Sequence, residues 1–249
     1  MAPIRKGDGT PLEIPGVQEV RSGDGRVFFD VDVIPDSGLD REYYVAAQSG
    51  FSDDDPITTV EASSGGVDLS GEATYRVEGV AANDAIEYQS NESHSADSLP
   101  LNDGYTAFVV FELRELSFTE DRTQIVQNAG SNIGLQFTVR DDSDEFEIVH
   151  PGGGGSEQGG SIDTEPHIVV IRDDGNETKL RIDGSDVITT TGLESPTIDD
   201  NGTIAMGDGE NDASPVNIAG FGIGNDDLSD SDVDDLEQEL SDFYGIDLS

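Results

Sequence analysis

LSDSDVDDLEQELSDFYGI, residues 228–246, carries seven carboxylates in nineteen positions. It could be read as a calcium loop, an acidic disordered tail or a helix, and its apolar residues decide. Val233, Leu236, Leu240 and Phe243 with Tyr244 recur at the spacing that lines one face of an α-helix, while the acids fill the other faces. Ser229 stands where an N-cap belongs, and Leu228 and Val233 occupy the two positions of a hydrophobic staple. Asp230 and Asp232 suit the positive end of the helix dipole, and Gly245 suits a left-handed stop. An EF-hand loop begun at Asp230 would put Asp235 where the glycine must stand and Ser241 where the bidentate acid must. The stretch reads as one amphipathic helix closing the chain.

Upstream of that helix the pattern changes from period 3.6 to short apolar runs separated by turn residues. The clearest runs are Thr106–Leu113, Thr123–Gln127, Ile133–Arg140, Glu145–His150, His167–Arg172, Lys179–Ile182, Thr203–Met206 and Val216–Ile223. Strands with turns every 8 to 12 residues or so are the signature of an all-β sandwich. Two hairpins are marked at RDDGNE (172–177) and IDGSD (182–186), where Asp-Gly supplies the positive φ angles of a tight turn. GGGGSEQGG (152–160) reads as a flexible excursion between strands. About 210 residues of such chain suffice to bury one substantial core.

The charge is unusual for a chain with a core. Fifty-four acidic residues stand against twelve basic ones, a formal net charge of -42, and Lys6 and Lys179 are the only lysines. Chains this acidic are often disordered, but those lack the apolar runs found here. The composition suits a folded protein in concentrated salt, where a Debye length of about 3 Å at 1 M suppresses repulsion between surface charges. Nucleic acid is excluded as a partner, because binding phosphates requires a basic surface. The absence of cysteine excludes disulfides and thiolate metal sites. Neither a signal-like apolar segment nor a run of about 18 apolar residues is present, so no signal peptide and no membrane span are expected.

The acid coat is unevenly spread. Up to Phe29, four basic residues (Arg5, Lys6, Arg21, Arg26) balance four acidic ones (Asp8, Glu13, Glu19, Asp24), so the following 220 residues carry the whole surplus. PIRKGDGTPLE (3–13) returns as EVRSGDGRVFF (19–29), each copy placing Gly-Asp-Gly between a basic and an apolar flank, the pattern of two small hairpins. Residues 1–36 are therefore expected to be a docking arm that lies on another protein through Arg5, Lys6, Arg21, Arg26, Phe28 and Phe29, and residues 37–249 the folded domain.

The order of several motifs carries a resemblance. GVDLSG (66–71), AIEYQS (85–90), YTAFVVFEL (105–113), PHIVVIRDDGNETKLRIDG (166–184), IAMGDG (204–209) and VNIAGFGIGNDDLSDSD (216–232) precede the closing helix. In that order they resemble concanavalin A-like (laminin-G-like) jelly-roll domains, which occur in structural proteins of phages and haloarchaeal viruses. The Asp-rich, Lys-poor usage likewise looks like that of haloarchaea and their viruses. The resemblance covers roughly residues 37–249 and implies a jelly-roll sandwich on the surface of a halophilic tailed virus, as a capsid turret, decoration or tail-associated protein. It further implies a homo-oligomer joined to other virion proteins by the arm, with host surface glycans as a second partner. The alternative is a secreted or cell-surface haloarchaeal lectin, and behind it a glucanase. Where relatives often have tryptophan this chain has none, and His167 stands at or beside that position.

A fold shared by glucanases, lectins and structural domains does not fix function. The glucanases of this superfamily carry Glu-x-Asp-x-x-Glu on one strand, and no such string occurs; Glu145 and Glu147 share a face without the third acid. His94, His150 and His167 are dispersed, without zinc-ligand spacing, and no Gly-x-Ser-x-Gly elbow is present. No enzyme is therefore expected. For a sugar, the candidate residues are Phe51, Tyr105 and Phe118 as aromatic platforms and His150. Related jelly rolls often bind calcium at a loop rim, which makes Asp208, Glu210 and Asp212 of DGEND the candidate ligands, with Asp53–Asp55 and GNDD (224–227) as further acidic clusters.

Overall fold

The computed structural model divides the chain into two units, residues 1–35 and 36–249. Described residues are 18–21, 27–30, 35, 37–48, 50–64, 66–89, 91–101, 104–116, 122–129, 134–140, 143–150, 155–193, 202–207, 215–225 and 227–249. In the first unit β1 (Gln18–Arg21) pairs antiparallel with β2 (Val27–Asp30), Arg21 opposite Val27, around the second Gly-Asp-Gly. The first Gly-Asp-Gly, with Arg5 and Lys6, and also Arg26, lie outside the described residues.

The second unit is all-β with one helix. Its strands are β3 (Arg41–Tyr44), β4 (Pro56–Val60), β5 (Leu69–Val80), β6 (Asn83–Tyr88), β7 (Ser93–Asp97), β8 (Tyr105–Leu113), β9 (Arg122–Ala129), β10 (Gly134–Arg140) and β11 (Glu145–His150). They continue as β12 (Gly155–Ser161), β13 (His167–Asp173), β14 (Thr178–Ile182), β15 (Ser185–Thr190), β16 (Thr203–Met206) and β17 (Val216–Gly224), followed by α1 (Asp230–Tyr244). All fifteen strands join in one antiparallel sheet whose main path runs β12-β11-β10-β9-β16-β7-β5-β6-β17-β8-β13-β14-β15, with β3 on β17 and β4 on β5.

That sheet is folded over on itself. Phe111 of β8 meets Phe137 of β10 and Phe146 of β11 with ring centroids 5.8 and 6.2 Å apart, although these strands are far apart along the path. The fold passes through β5, whose first half pairs with β7 and whose second half pairs with β6. Gly71 lets β7 come close there, since a Cβ at that position would lie 1.8 Å from the Ser93 carbonyl oxygen. At the far ends β12 lies against β15, so the jelly-roll sandwich nearly closes. Its core is aliphatic and aromatic, with Tyr43, Leu69, Tyr105, Phe111, Ile125, Phe137, Phe146, Val169, Met206 and Phe221 all buried.

The helix forms where its sequence places it. Ser229 caps it by accepting from the Asp232 amide at 3.2 Å while Asp232 returns a bond to Ser229, and Gly245 ends it at φ 70°. Val233, Leu236, Leu240 and Tyr244 are buried, each contributing roughly 1.5–3 kcal/mol. Phe243, expected in the same stripe, is only half-buried, and its place is taken by Glu237. The Tyr244 hydroxyl donates to the Ala219 carbonyl at 3.0 Å, so the helix covers the outward face of β17 and its neighbours. Gly220 makes that approach feasible: a Cβ there would stand 2.5 Å from the Tyr244 hydroxyl.

One expectation is corrected. Residues 155–161 form the strand β12, paired with β11 from Glu145 opposite Ser161 to His150 opposite Gly155, and are not a flexible excursion. A strand of Gly, Ser, Glu and Gln joins the sheet through its backbone, with Gln158 accepting from the Ser143 hydroxyl at 3.1 Å and Glu157 from that of Thr190 at 3.4 Å, which leaves no apolar period to read.

Candidate functional site

Strand registers build one polar face from the residues upward. On β9, β10 and β11 the residues that alternate with the core point outward: Gln127, Gln124 and Arg122; Gln136, Thr138 and Arg140; and Val149, Glu147 and Glu145. Gln136 stands opposite Gln127, Thr138 opposite Gln124, and Arg140 opposite Arg122. The pairing of β11 with β12 adds Gln158 opposite Glu147, and that of β16 with β7 and β9 adds Ala205 and Ser95. Four of the chain's eight glutamines share this face.

Its charges cancel. Glu147 is wholly buried and held by Arg122, with Arg140 at 3.9 Å and the Thr138 hydroxyl donating at 3.1 Å. Gln136 donates to Gln127 at 3.2 Å and Gln124 to the Gly207 carbonyl at 3.3 Å. Two arginines thus offset two glutamates on a domain whose remaining surface is overwhelmingly acidic. Both carboxylate oxygens of Glu147 are thus taken up by Arg122 and Thr138.

A second feature lies on the outer face of the opposite layer, beside the end of α1. Asp53, Arg76, Val77, Glu78, Gly79, Glu87, Gln89, Arg114, Glu115, Pro215 and Asn217 line a cleft of about 590 Å³. Arg76 grips Glu87 through two bonds of 2.8 and 3.1 Å and also pairs with Asp54. Burial raises the pKa of Glu87, but its bonds to Arg76 and Gln89 hold it below the ordinary carboxylate range.

All eight basic side chains of residues 37–249 are engaged by carboxylates or backbone carbonyls. Arg41 reaches the Asp97 and Ser98 carbonyls, and Arg76 and Arg114 flank Glu87. Arg122 and Arg140 hold Glu147, Arg172 and Lys179 meet Asp230, and Arg181 meets Asp234 and Glu237 at 2.8 and 2.9 Å. Arg114 apart, which approaches its acids only to 3.9 Å, the scarce cations act as internal staples.

Several sequence expectations for sites are corrected. Tyr105 and His150 are buried, the Tyr105 hydroxyl lying 2.9 Å from His150 Nε2, so they form a polar pair inside the core and offer no platform to a sugar. Phe51 is half-buried and stacks on Tyr75 at 5.3 Å. Phe118, Asp208, Glu210 and Asp212 lie outside the described residues, as do the side chains of Arg21, Phe28 and Phe29.

The acids 53–55 have structural partners: Asp53 accepts from the Val77 amide, Asp54 pairs with Arg76, and Asp55 accepts from the Ser52 amide. In GNDD, Asn225 donates to Asp40 and to the Pro100 carbonyl. Among the described residues no three His, Asp or Glu side chains converge as metal ligands. No described helix is long and apolar enough to cross a membrane.

The other two histidines are structural. His94 is buried between the Tyr88 hydroxyl and the Ile57 carbonyl, both at 3.1 Å, and burial lowers its pKa to about 4. His167 packs against Phe111 and Phe146 and lies between Asp183 at 2.8 Å and Asp163 at 3.1 Å. Burial pulls its pKa down, yet the two carboxylates outweigh this and hold it above the ordinary value. Sequence reasoning missed the glutamine face and the Asn217 cleft. The glutamines of neighbouring strands, Gln124 and Gln127 before Gln136, were a partial signal for the first; nothing in the sequence joined Arg76, Arg114 and Asn217.

No family model matches the chain, and no curated protein does. Solved structures do. The binding domain of botulinum neurotoxin serotype D superposes with a TM-score of 0.61 at 12% identity, over 82% of this chain and 51% of that one. Its complex with N-acetylneuraminic acid gives the same figures. Trypanosoma rangeli sialidase gives a TM-score of 0.60 at 14% identity, over 86% of this chain and 35% of that one. The chain thus spans about half of the toxin domain and about a third of the sialidase. At these identities the likeness is one of fold.

Proposed function

We propose that residues 37–249 form a non-catalytic glycan-recognition domain on the surface of a halophilic virion, present in several copies and joined to other virion proteins by residues 1–36. The outward face of β9–β12 carries the recognition reading. It gathers Gln124, Gln127, Gln136 and Gln158 on a charge-balanced patch. A carboxamide both donates and accepts, the combination that adjacent sugar hydroxyls require. A solvent-facing surface selected only for salt tolerance would carry carboxylates there.

The solved structures that share the fold support the class of ligand. The toxin binding domain is found with N-acetylneuraminic acid, and the sialidase is named for a sugar substrate. Hydrolysis is disfavoured by the clamped state of Glu147. The virion assignment rests on the sequence resemblance and on the contrast between the charge-balanced arm and the acidic domain.

With few aromatic residues and no tryptophan, each site is weak, and useful adsorption comes from many linked copies, worth about 10²- to 10⁴-fold. The test measures adsorption of the isolated domain and of the intact oligomer or particle to purified host envelope glycoprotein in molar salt. Reversible adsorption by the multivalent form, lost in Gln127→Ala with Gln136→Ala, is the expected result. No binding by either form would leave a purely architectural role. A chain lacking residues 1–36 should fold normally and fail to enter particles; its incorporation would refute the docking arm.

A further inference from the structure

The cleft on the opposite layer holds an unfilled acceptor. Asn217 is completely buried and donates through Nδ2 to the Gly79 carbonyl at 2.7 Å, but its Oδ1 has no partner. A buried acceptor left unsatisfied costs about 1–3 kcal/mol, so such an atom on a cleft floor marks a place where a donor belongs.

Other features converge on the same place. Arg114 lines the cleft, is half-exposed, and stands 3.9 Å from both Glu87 and Glu112, beyond hydrogen-bond distance. Val77 on the cleft wall is 48% exposed and Leu116, next to the lining residue Glu115, is 47% exposed; among the described residues these are the exposed large hydrophobics. Glu78 adopts a left-handed φ of 55°, a strained conformation for a residue with a side chain. The volume of about 590 Å³ falls within the range of small-molecule sites, about 300–1,000 Å³.

We infer that this cleft is a second saccharide site, taking a neutral hexopyranose whose hydroxyls meet Asn217 Oδ1 and Arg114 and whose C–H face lies on Val77. The cleft's own charges select neutrality. Asp53, Glu78, Glu87 and Glu115 outnumber Arg76 and Arg114 by two, which opposes an anionic ring, while Arg114 opposes a cationic one. A neutral polyol uses the acceptors and the donors together. The site stands on residues separate from the β9–β12 face, so either can fail without the other.

The experiment titrates the full isotope-labelled chain in molar salt with neutral methyl hexopyranosides, and in parallel with methyl glucuronide, following backbone amides. Shifts at Val77, Glu78, Arg114 and Asn217 with a neutral glycoside are expected. Arg114→Ala and Val77→Ser, both at exposed side chains, should weaken them roughly tenfold or more and about threefold respectively without changing the melting temperature. Shifts confined to residues 124–138 would overturn the cleft site while sustaining the glutamine face. Cleft shifts with glucuronide alone would overturn the neutral assignment. No shift with any neutral glycoside would overturn the inference.

Discussion

Arg122 holds Glu147 through both carboxylate oxygens, Nε to Oε2 at 2.8 Å and the terminal nitrogen to Oε1 at 2.9 Å, with the acid wholly buried and the arginine partly in water. The pair joins β9 to β11 across β10. Breaking a fully buried pair by removing one partner costs 3–5 kcal/mol, but Arg122 can regain water, so Glu147→Ala should cost about 2–3 kcal/mol. Urea unfolding in constant molar salt measures it. A loss below about 0.5 kcal/mol would mean that the pair is ornamental at the surface.

Tyr105→Phe removes the hydroxyl that meets His150 inside the core. The change should lower stability by about 1–3 kcal/mol and leave glycoprotein adsorption unaltered. Loss of adsorption in a variant that melts normally would restore this pair to the binding surface.

His94 sets a pH dependence. Its folded pKa, about 4, lies below the ordinary 6.5, so the unfolded chain takes up this proton first as pH falls. The associated stability is complete above pH 6.5 and is lost progressively towards pH 4, by roughly 3 kcal/mol in all. Because many carboxylates also titrate there, the measurement is the difference between the wild type and His94→Gln in urea at fixed salt. That difference should shrink on acidification; a constant difference would refute the assignment. His167 acts oppositely: its raised pKa contributes stability below the ordinary histidine value that is lost as pH rises through the folded one.

Stability should fall as salt is withdrawn. With all the basic side chains but Arg114 committed to internal partners, little on the domain's surface offsets the remaining carboxylates except ions in solution. Circular dichroism during dialysis should show the melting temperature dropping below about 0.5 M salt, where screening fades. An unchanged melting temperature in dilute buffer would contradict a halophilic origin.

The sequence made the helix legible to its caps, because capping, staple and apolar stripe agree over one continuous segment. Strands rich in Val, Ile and Phe, such as β8 and β13, were legible for the same reason. Strands β7 and β12 were not, since SHSAD and GSEQGGS lack an apolar period and are fixed by backbone pairing and by polar side-chain bonds such as those of His94. Tyr105 was misread as a surface platform because a strand's first residue does not reveal which layer will close over it. The Asn217 cleft joins β5, β6, β8 and β17, and such long-range assembly leaves no mark in local sequence.

The way the chain enters the sandwich sets how it responds to force. A pull applied through the N-terminal side reaches β3 first, a four-residue strand whose main partner is β17, with an isolated bridge from Glu42 to Ser64 behind it. Arg41 ties the start of that strand to the carbonyls of Asp97 and Ser98, and the Ser37 hydroxyl donates to Glu42. Tension therefore meets a short clasp of ladder rungs, one guanidinium and one carboxylate together with the core side chain of Tyr43. A pull from that side thus loads β3 and its partner β17 before it loads the strands β9–β12, which lie elsewhere on the path of the sheet.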